Sequence, residues 1–356
     1  MGDRFPIGAA TDPGIKRKNK PNQDSIGVVP YDPEDAKNPL LILADGMGGY
    51  SGGEVASSLA VSVISSIYQD GLTDPGRIGS LLEECICEAH KAISKRSEEN
   101  EMLSSMGSTI VLASPGPDSV WVANVGDSRA YLISPNGQIR QISYDHSLVM
   151  DQVRAGIITE NEAQVHPRRN VLTMSLSGKR STVTPYVAEI PWQEGDYVLI
   201  CSDGLWGTVS EAQIGYIVTS LEPQDAAEKL IRMANFNQGP DNISVLIVRN
   251  GEKAAESRYS LEDEQKLVRT LTAKNLLMDG TRSVTNFVLS GTRSVKNMFL
   301  YGTKSARRWI IIAGIFLFLF LCAMIFILKS FSNVSVPPQP TPTEESAVTI
   351  SIILEP

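Results

Sequence analysis

The chain has 356 residues, of which 42% are hydrophobic, and its formal net charge is −8. This length allows one large domain or two ordinary domains with a sizeable core. The acidic balance argues against nucleic acid as the main partner. The four cysteines lack the spacing of a zinc site and are predicted to be reduced thiols in a cytosolic catalytic part.

The N-terminal region combines two predicted short strands with a strongly basic loop. Turn-forming residues 11–14 separate the strands, and four cations occur between Lys16 and Lys20. An Asn-Gln-Asp sequence that ends at Asp24 follows them. Two interpretations stay open here: a solvated basic loop, or a phosphate-binding arginine followed by an acidic residue close to a metal ion.

The next feature is an aliphatic run, residues 40–44, that predicts a buried strand ending at Asp45. Five glycines follow between residues 46 and 53, and a helical pattern begins at Glu54. Glycines let a ligand approach a rigidly held carboxylate, and this arrangement suits a hard metal ion. A tight strand-to-helix turn capped by Asp45 is the alternative. The glycines lack the Lys-Ser/Thr of a P-loop and the spacing of a dinucleotide fingerprint.

The sequence then predicts two helices, an antiparallel meander, an irregular excursion and a second pair of helices. The first two helices are expected at 52–70 and 76–100, and the meander at 107–134. The excursion is expected at 143–181, and the second pair of helices at 210–220 and 223–236. An excursion of this length between strands could be a lid or a substrate flap. His146 lies in it and could cap a turn or take part in chemistry.

Four aspartates share one position in the predicted structure, at a strand edge beside glycine or proline. They are Asp45, Asp127, Asp203 and Asp241. Their repetition predicts one convergent site, in which clustered carboxylates would repel one another without cations between them. Oxygen ligands without His or Cys suit Mg²⁺ or Mn²⁺, and two bridged ions are the usual arrangement for in-line attack on phosphorus.

Six short motifs then occur in an order that resembles a known family. They are Asn22-Gln-Asp-Ser25, Asp45-Gly-Met-Gly-Gly49, Gly107-Ser-Thr109, Gly126-Asp-Ser-Arg-Ala130, Ser202-Asp-Gly-Leu205 and Gly239-Pro-Asp-Asn242. They resemble the motifs of bacterial-style metal-dependent protein phosphatases of the protein phosphatase 2C type, over roughly residues 5–250. The resemblance implies an α+β fold, a central antiparallel β-sandwich with helix pairs on both outer faces, in four α/β/β/α layers.

The resemblance also implies the ligands of two Mn²⁺ or Mg²⁺ ions in a cleft at one end of the sandwich. Asp45 would bridge both ions, and the carbonyl of Gly46 would bind one of them. Asp203 and Asp241 would bind the second ion, and Asp24 would act through coordinated water.

A third, weaker ion and the phosphate contact complete the implied site. Asp127 would help to hold this third ion. Some relatives have a further aspartate where this chain has Gly207, so Asp145 from the excursion could contribute instead. The family arginine usually stands two residues later than Arg17, which we take as the phosphate-binding residue. Many eukaryotic members carry a histidine, proposed as the general acid, at the position of Met47.

The activity implied by the resemblance is hydrolysis of phosphoserine and phosphothreonine by a two-metal-activated hydroxide. The expected partners are phosphorylated proteins, which include Ser/Thr kinases and their substrates. Two other hypotheses remain. The first is an inactive phosphatase-fold module that serves as a scaffold, and the second is a phosphatase specialised for a regulatory partner switch.

The C-terminal part begins with a charged connector and an 11-residue repeat, which together span residues 253–308. Successive copies begin at Gly280, Gly291 and Gly302. A period of 11 places the same face of a helix in register in every copy. Three interpretations stay open: a helix on the membrane surface, a right-handed coiled coil, or a segment that orders only on meeting a membrane or partner.

An apolar segment, residues 309–328, follows the repeat. Its twenty uncharged residues match a hydrocarbon core of about 30 Å and predict a transmembrane helix. More cations precede this segment than follow it, so the catalytic domain, residues 1–252, is expected in the cytoplasm. The Pro-rich tail, residues 329–356, would then lie outside a single-pass membrane protein.

Overall fold

The computed structural model describes residues 4–30, 38–48, 52–71, 75–178 and 182–251. The predictions for the 11-residue repeat, the apolar segment 309–328 and the Pro-rich tail concern residues outside these ranges. Among the helices within them, none is both long and apolar enough to cross a membrane.

The described residues form twelve strands and seven α-helices. The strands are β1 (Ile7–Asp12), β2 (Asp24–Val29), β3 (Leu40–Met47), β4 (Gly107–Ser108), β5 (Ile110–Pro115), β6 (Ser119–Val125), β7 (Arg129–Ile133), β8 (Ile139–Gln141), β9 (Leu176–Ser177), β10 (Tyr186–Pro191), β11 (Tyr197–Cys201) and β12 (Ile243–Arg249). The helices are α1 (Gly52–Gly71), α2 (Ile78–Glu99), α3 (Leu148–Arg154), α4 (Glu160–Val165), α5 (Asp203–Trp206), α6 (Glu211–Ser220) and α7 (Pro223–Phe236). Three short 3₁₀ turns are found at Ile15–Arg17, Pro75–Arg77 and Glu101–Leu103.

Two antiparallel sheets make up the centre of the fold. One sheet has five strands in the order β1-β12-β11-β7-β8. The other has seven strands, with the order β10-β6-β5-β3-β4-β9 and with β2 paired to β3. The three strands of the predicted meander are present as β5, β6 and β7, but only β5 and β6 pair as a meander requires. β5 and β6 pair in the seven-stranded sheet, whereas β7 belongs to the five-stranded one.

The aliphatic run of β3 is buried on both faces because each face packs on a different core. Leu41 and Leu43 pack between the two sheets, with Val198 and Val248 of the five-stranded sheet. The alternate residues of β3, such as Ile42, pack with the apolar faces of α1 and α2. Successive side chains of a strand point to opposite faces, so a strand inside two layers reads as a continuous apolar run.

The second helix pair covers the five-stranded sheet. α7 packs on β1 and β12, and α6 packs beside α7. A side-chain Cβ at Gly8 in β1 would lie only 2.1 Å from the backbone of Pro223, so glycine lets the start of α7 lie directly on the strand. The predicted α+β sandwich with helices on both outer faces is therefore confirmed. Both predicted pairs of helices also agree with the observed helices, to within two residues at each end.

The excursion after β8 contains two short helices, α3 and α4, before the chain returns through β9. The helical pattern from Leu148 predicts α3, whereas α4 is not apparent from apolar periodicity. A capping box begins α4, in which the Thr159 side chain accepts from the Glu162 amide and the Glu162 carboxylate accepts from the Thr159 amide. Local polar contacts thus define this helix more than its burial does.

Candidate metal centre

Strand ends bring the predicted acidic residues together at one end of the sandwich. β2 and β3 pair so that Asp24 lies opposite Asp45. Asp203 follows β11 and Asp241 precedes β12, and these strands are neighbours in the other sheet. Burial raises the pKa of Asp45 well above its ordinary value, and the charges of Asp24, Asp203, Asp127 and Asp241 raise it further. The five carboxylates therefore form one electrostatic cluster.

Asp45 is fixed through its backbone by the Gly107-Ser-Thr109 motif. Its amide donates to Thr109 Oγ1 at 3.1 Å, and its carbonyl accepts from the Thr109 amide at 2.9 Å and from Ser108 Oγ at 3.0 Å. Thr109 Oγ1 also lies 2.7 Å from Ser128 Oγ, next to Asp127. One hydroxyl pair thus connects the two strand ends that carry Asp45 and Asp127.

Gly46 occupies a place where no side chain fits. A Cβ there would lie 2.0 Å from the Gly53 carbonyl oxygen and 2.6 Å from the Gln23 carbonyl oxygen. The amide of Gly46 donates to the same Gln23 oxygen at 3.0 Å. Glycine therefore lets the start of α1 and the loop before β2 close directly against the backbone that follows Asp45.

Asp24 is held at one carboxylate oxygen only. Its Oδ2 accepts from Ser202 Oγ at 2.8 Å and from Ser244 Oγ at 2.7 Å. Ser244 Oγ in turn lies 2.7 Å from Thr11 Oγ1. The other oxygen, Asp24 Oδ1, is buried without a hydrogen-bond partner, and so is Asp203 Oδ1.

Unpartnered buried carboxylate oxygens are rare because their desolvation costs free energy. Burial raises the pKa of Asp24 to about 6 despite the two serine hydroxyls, which lower it. Burial likewise raises the pKa of Asp203 well above its ordinary value, and the neighbouring charge of Asp127 adds to this effect. A divalent cation would offset both the desolvation and the repulsion, so these residues fit bound Mg²⁺ or Mn²⁺.

The cluster is not a complete ligand cage of side chains. Among the described residues, no group of three or more His, Cys, Asp or Glu side chains is arranged to hold a metal ion. Asp241 faces Arg17, whose guanidinium donates to Asp241 Oδ1 and to the side-chain oxygen of Gln23. Mg²⁺ in particular is bound by few carboxylates and keeps several waters, so an open cluster is compatible with the predicted ions.

Arg17, the predicted phosphate-binding residue, lies against the carboxylate cluster through its contact with Asp241. It ends the 3₁₀ turn Ile15–Arg17, and its side chain is 23% exposed. Asn242 holds this loop against the centre, because its Oδ1 accepts from the Gln23 amide at 2.9 Å and its Nδ2 donates to the Pro13 carbonyl at 3.0 Å. The Pro-Asp-Asn motif thus positions both Asp241 and the arginine.

Asp127 lies in the turn between β6 and β7, where Gly126 has a φ of +105°. Burial raises the pKa of Asp127 to about 6, and the charge of Asp145 raises it too. The Asp127 carbonyl accepts from Trp206 Nε1 at 3.1 Å. The Trp206 ring lies under the Arg129 guanidinium, at 3.9 Å from the ring centroid.

Asp145 is engaged by arginine, which argues against the role in a third metal site expected from the sequence. Arg129 Nη2 and Nε lie 2.7 and 3.0 Å from Asp145 Oδ2, and Gln141 Nε2 lies 2.7 Å from its Oδ1. The pair is buried, since the two side chains are 16% and 2% exposed. Asp145 therefore joins the root of the excursion to β7.

His146 contacts the turn that carries Asp127. Its Nδ1 lies 3.3 Å from the Gly126 amide, and its ring meets Tyr144 edge-on at 5.0 Å between centroids. Burial lowers the pKa of His146, which favours the neutral ring that accepts this hydrogen bond. Of the two interpretations left open for His146, the structure favours the one in which it caps a turn.

The sequence does not reveal the roles of several positioning residues, although Ser108, Thr109, Ser128, Arg129 and Ser202 lie within the six motifs. Their side chains hold Asp24, Asp45 and Asp127 either directly or through one other residue. They are Thr11, Ser108, Thr109, Ser128, Arg129, Ser202, Trp206 and Ser244. Their position in the sequence is the signal that could have identified them. Most of them lie within a few residues of a strand-edge aspartate or inside a strand.

Comparison with known proteins agrees with this geometry. The family model described as protein phosphatase 2C matches residues 13–244. The serine/threonine phosphatase stp of Listeria innocua is 39% identical over 230 residues, which are 64% of this chain and 89% of that protein.

Solved structures give the same result. The serine/threonine phosphatase PstP/Ppp of Mycobacterium tuberculosis matches with a TM-score of 0.62 and 31% identity, over 70% of this chain and 99% of that one. A PstP catalytic domain in complex with two manganese ions matches with a TM-score of 0.61 and 30% identity, over the same shares of the two chains.

Proposed function

This chain belongs to the protein phosphatase 2C family of metal-dependent serine/threonine protein phosphatases, and we propose that the carboxylate cluster at the strand ends is its reaction centre. The observation that carries this proposal is the pair of buried, unpartnered oxygens, Asp24 Oδ1 and Asp203 Oδ1. They lie in a cluster whose members raise one another's pKa. Such an arrangement is costly unless cations occupy it.

Each carboxylate has a distinct role in the proposed centre. Asp45 would hold the divalent ions, Mn²⁺ or Mg²⁺, and the carbonyl of Gly46 would be a further ligand. Asp203 and Asp241 would contribute further carboxylate ligands, and Asp24 would act through water. Asp127 would help to hold a weaker third ion. When bound, such ions lower the pKa of water and neutralise phosphoryl oxygens.

The chain's own groups position this chemistry. Ser202 and Ser244 hold one oxygen of Asp24, so the other oxygen is left for the centre. Arg17 is the cation for the substrate phosphate, and binding the phosphate requires it to exchange its contact with Asp241. Met47 has no proton to donate, so this position does not supply a general acid.

The proposed substrates are phosphoserine and phosphothreonine residues of proteins, and the counterparts are Ser/Thr kinases and the targets of these kinases. The similarity to Ser/Thr phosphatases supports the substrate class. We place the enzyme on the cytoplasmic side of a membrane, anchored once through residues 309–328. The apolar length and the preceding cations of that segment support the anchor.

The alternative function is an inactive scaffold with a phosphatase fold, and hydrolysis decides between the two. Full-length protein with Mn²⁺ is expected to hydrolyse p-nitrophenyl phosphate and a phosphothreonine peptide. Asp45→Asn or Asp203→Asn should lower kcat/KM by about 100-fold or more, because each variant loses a proposed metal ligand. Asp118→Asn, an exposed carboxylate in the β5–β6 turn, is the matched control.

Two outcomes contradict the proposal. The first is a wild-type protein that has the circular dichroism spectrum of a folded protein but no hydrolytic activity, which supports the scaffold. The second is an Asp45→Asn variant as active as the Asp118→Asn control.

A further inference from the structure

The four cations of the basic loop separate into two groups in the structure. Arg17 turns inward to Asp241, whereas Lys16, Lys18 and Lys20 are exposed. Lys18 and Lys20 form no ion pair with any carboxylate that the structure describes. The reaction centre uses only the inward arginine, so the outward lysines remain to be explained.

The loop is fixed firmly against the metal centre. Gly14 has a φ of +78°, and a Cβ there would lie 2.1 Å from the Asp241 carbonyl oxygen. The Lys16 amide donates to the Gly239 carbonyl at 3.1 Å, and the Lys20 amide donates to the Arg17 carbonyl at 2.7 Å. A loop held by these backbone contacts presents its lysines in a constant position, which lowers the entropic cost of binding a partner.

Two exposed apolar side chains lie at the same junction. Ile15 is 60% exposed and Phe236 is 56% exposed. The Ile15 amide donates to Oδ1 of Asn235, the neighbour of Phe236 at the end of α7. Gln238, in the same turn, is the one described non-glycine residue with a positive φ, and its Oε1 accepts from Lys16 Nζ at 3.1 Å. Exposed apolar groups beside fixed cations are typical of an interaction surface.

We propose that this basic surface, formed by Ile15, Lys16, Lys18, Lys20 and Phe236, binds the acidic segment that flanks the phosphorylated residue of a protein substrate. The proposal rests on the proposed phosphatase function. The chain as a whole carries 40 acidic against 32 basic residues, so a local run of cations beside the centre attracts anionic substrates selectively. Ile15 and Phe236 would bind an apolar residue of the same segment.

The test compares two phosphothreonine peptides of equal length, one with acidic flanking residues and one with their amide counterparts. The probes are used with full-length protein and Mn²⁺. The double variant Lys18→Gln/Lys20→Gln should lower the acidic-to-neutral ratio of kcat/KM by about fivefold to tenfold, as the loss of two exposed charge contacts would. In the wild type, the same ratio should fall as NaCl rises from about 50 mM to about 500 mM, because salt screens exposed charges.

The control variant is Lys91→Gln/Lys95→Gln, which makes the same charge change on the exposed face of α2. A ratio that is unchanged in the Lys18/Lys20 variant, or that falls equally in the control, overturns the proposal. Hydrolysis of p-nitrophenyl phosphate by the wild type separates this result from a failure of the phosphatase function, since that substrate has no flanking segment.

Discussion

At the scale of single residues, the cluster keeps carboxylates in an environment that opposes their charge. Asp24 shows the balance most clearly, because two serine hydroxyls favour its ionised form while burial disfavours it. The net result is a pKa of about 6, and Asp127 reaches about 6 for the same dominant reason. Both values lie above the ordinary value of 3.8.

A pH dependence of the metal-free protein follows. A carboxylate whose pKa is raised on folding binds its proton more tightly in the folded state. Its stabilising effect is full below pH 3.8 and is lost as pH rises through 6. Between pH 7 and pH 5 the free energy of unfolding in EDTA should therefore rise by about 1 kcal/mol from Asp24 alone. Urea unfolding at the two pH values measures this change.

Variant and metal controls isolate the effect. Asp24→Asn should reduce the rise by about 1 kcal/mol, since the amide does not titrate. Mn²⁺ should stabilise the protein more at pH 7 than at pH 5, because metal ions compete with protons for the same oxygens. A rise that is equal in the wild type and in Asp24→Asn contradicts the assignment.

At the scale of elements, the single-turn helix α5 links two parts of the site. Asp203 begins it and Trp206 ends it, and the indole of Trp206 donates to the Asp127 carbonyl. Arg129 packs on that indole and binds Asp145 at the root of the excursion. One buried arginine therefore couples β7, α5 and the excursion, so the position of Asp127 depends on all three.

Removing the charge of Asp145 tests this coupling. Asp145→Asn leaves the Arg129 guanidinium buried without its anionic partner, and we expect a loss of about 3 kcal/mol in the free energy of unfolding. Glu228→Gln, in an exposed pair with Arg232 whose side chains are 51% and 63% exposed, should cost less than about 0.5 kcal/mol. Urea unfolding compares the two variants, and equal losses would refute the role of the buried pair.

At the scale of the whole molecule, the described catalytic part occupies residues 4–251, and the proposed membrane anchor lies beyond it. The described residues contain no helix able to cross a membrane. The proposed anchor is the apolar segment 309–328, which lies outside these residues. Catalysis and membrane attachment should therefore be separable.

Deletion of residues 305–330 provides the measurement. The full-length protein should sediment with membranes, whereas the deletion variant should remain in the soluble fraction and keep its hydrolysis of p-nitrophenyl phosphate. Extraction with detergent, but not with about 1 M salt or with carbonate, should release the full-length protein, as expected for a spanning helix. A deletion variant that stays in the membrane fraction would show that the 11-residue repeat attaches the chain without the apolar segment.

The sequence by itself determined both long pairs of helices, most of the longer strands and the acidic ligand candidates. The double-sided burial of β3 follows from its unbroken aliphatic run, and the strands of the meander region follow from apolar runs separated by turn residues. The two-sheet sandwich is implied by the family resemblance. Asp45, Asp127, Asp203 and Asp241 could be found because strand ends and glycine turns are local signals in the chain.

Only the tertiary structure decided what holds those carboxylates. Ser202 and Ser244 reach Asp24 across 178 and 220 positions of the sequence, and Arg17 reaches Asp241 across 224. The partner of Asp145 is likewise set by the placement of the excursion and not by its sequence. Contacts of this kind depend on the register of paired strands and on the packing of two layers. Local composition does not encode them, because a one-residue shift in register would turn the same hydroxyls to the opposite face.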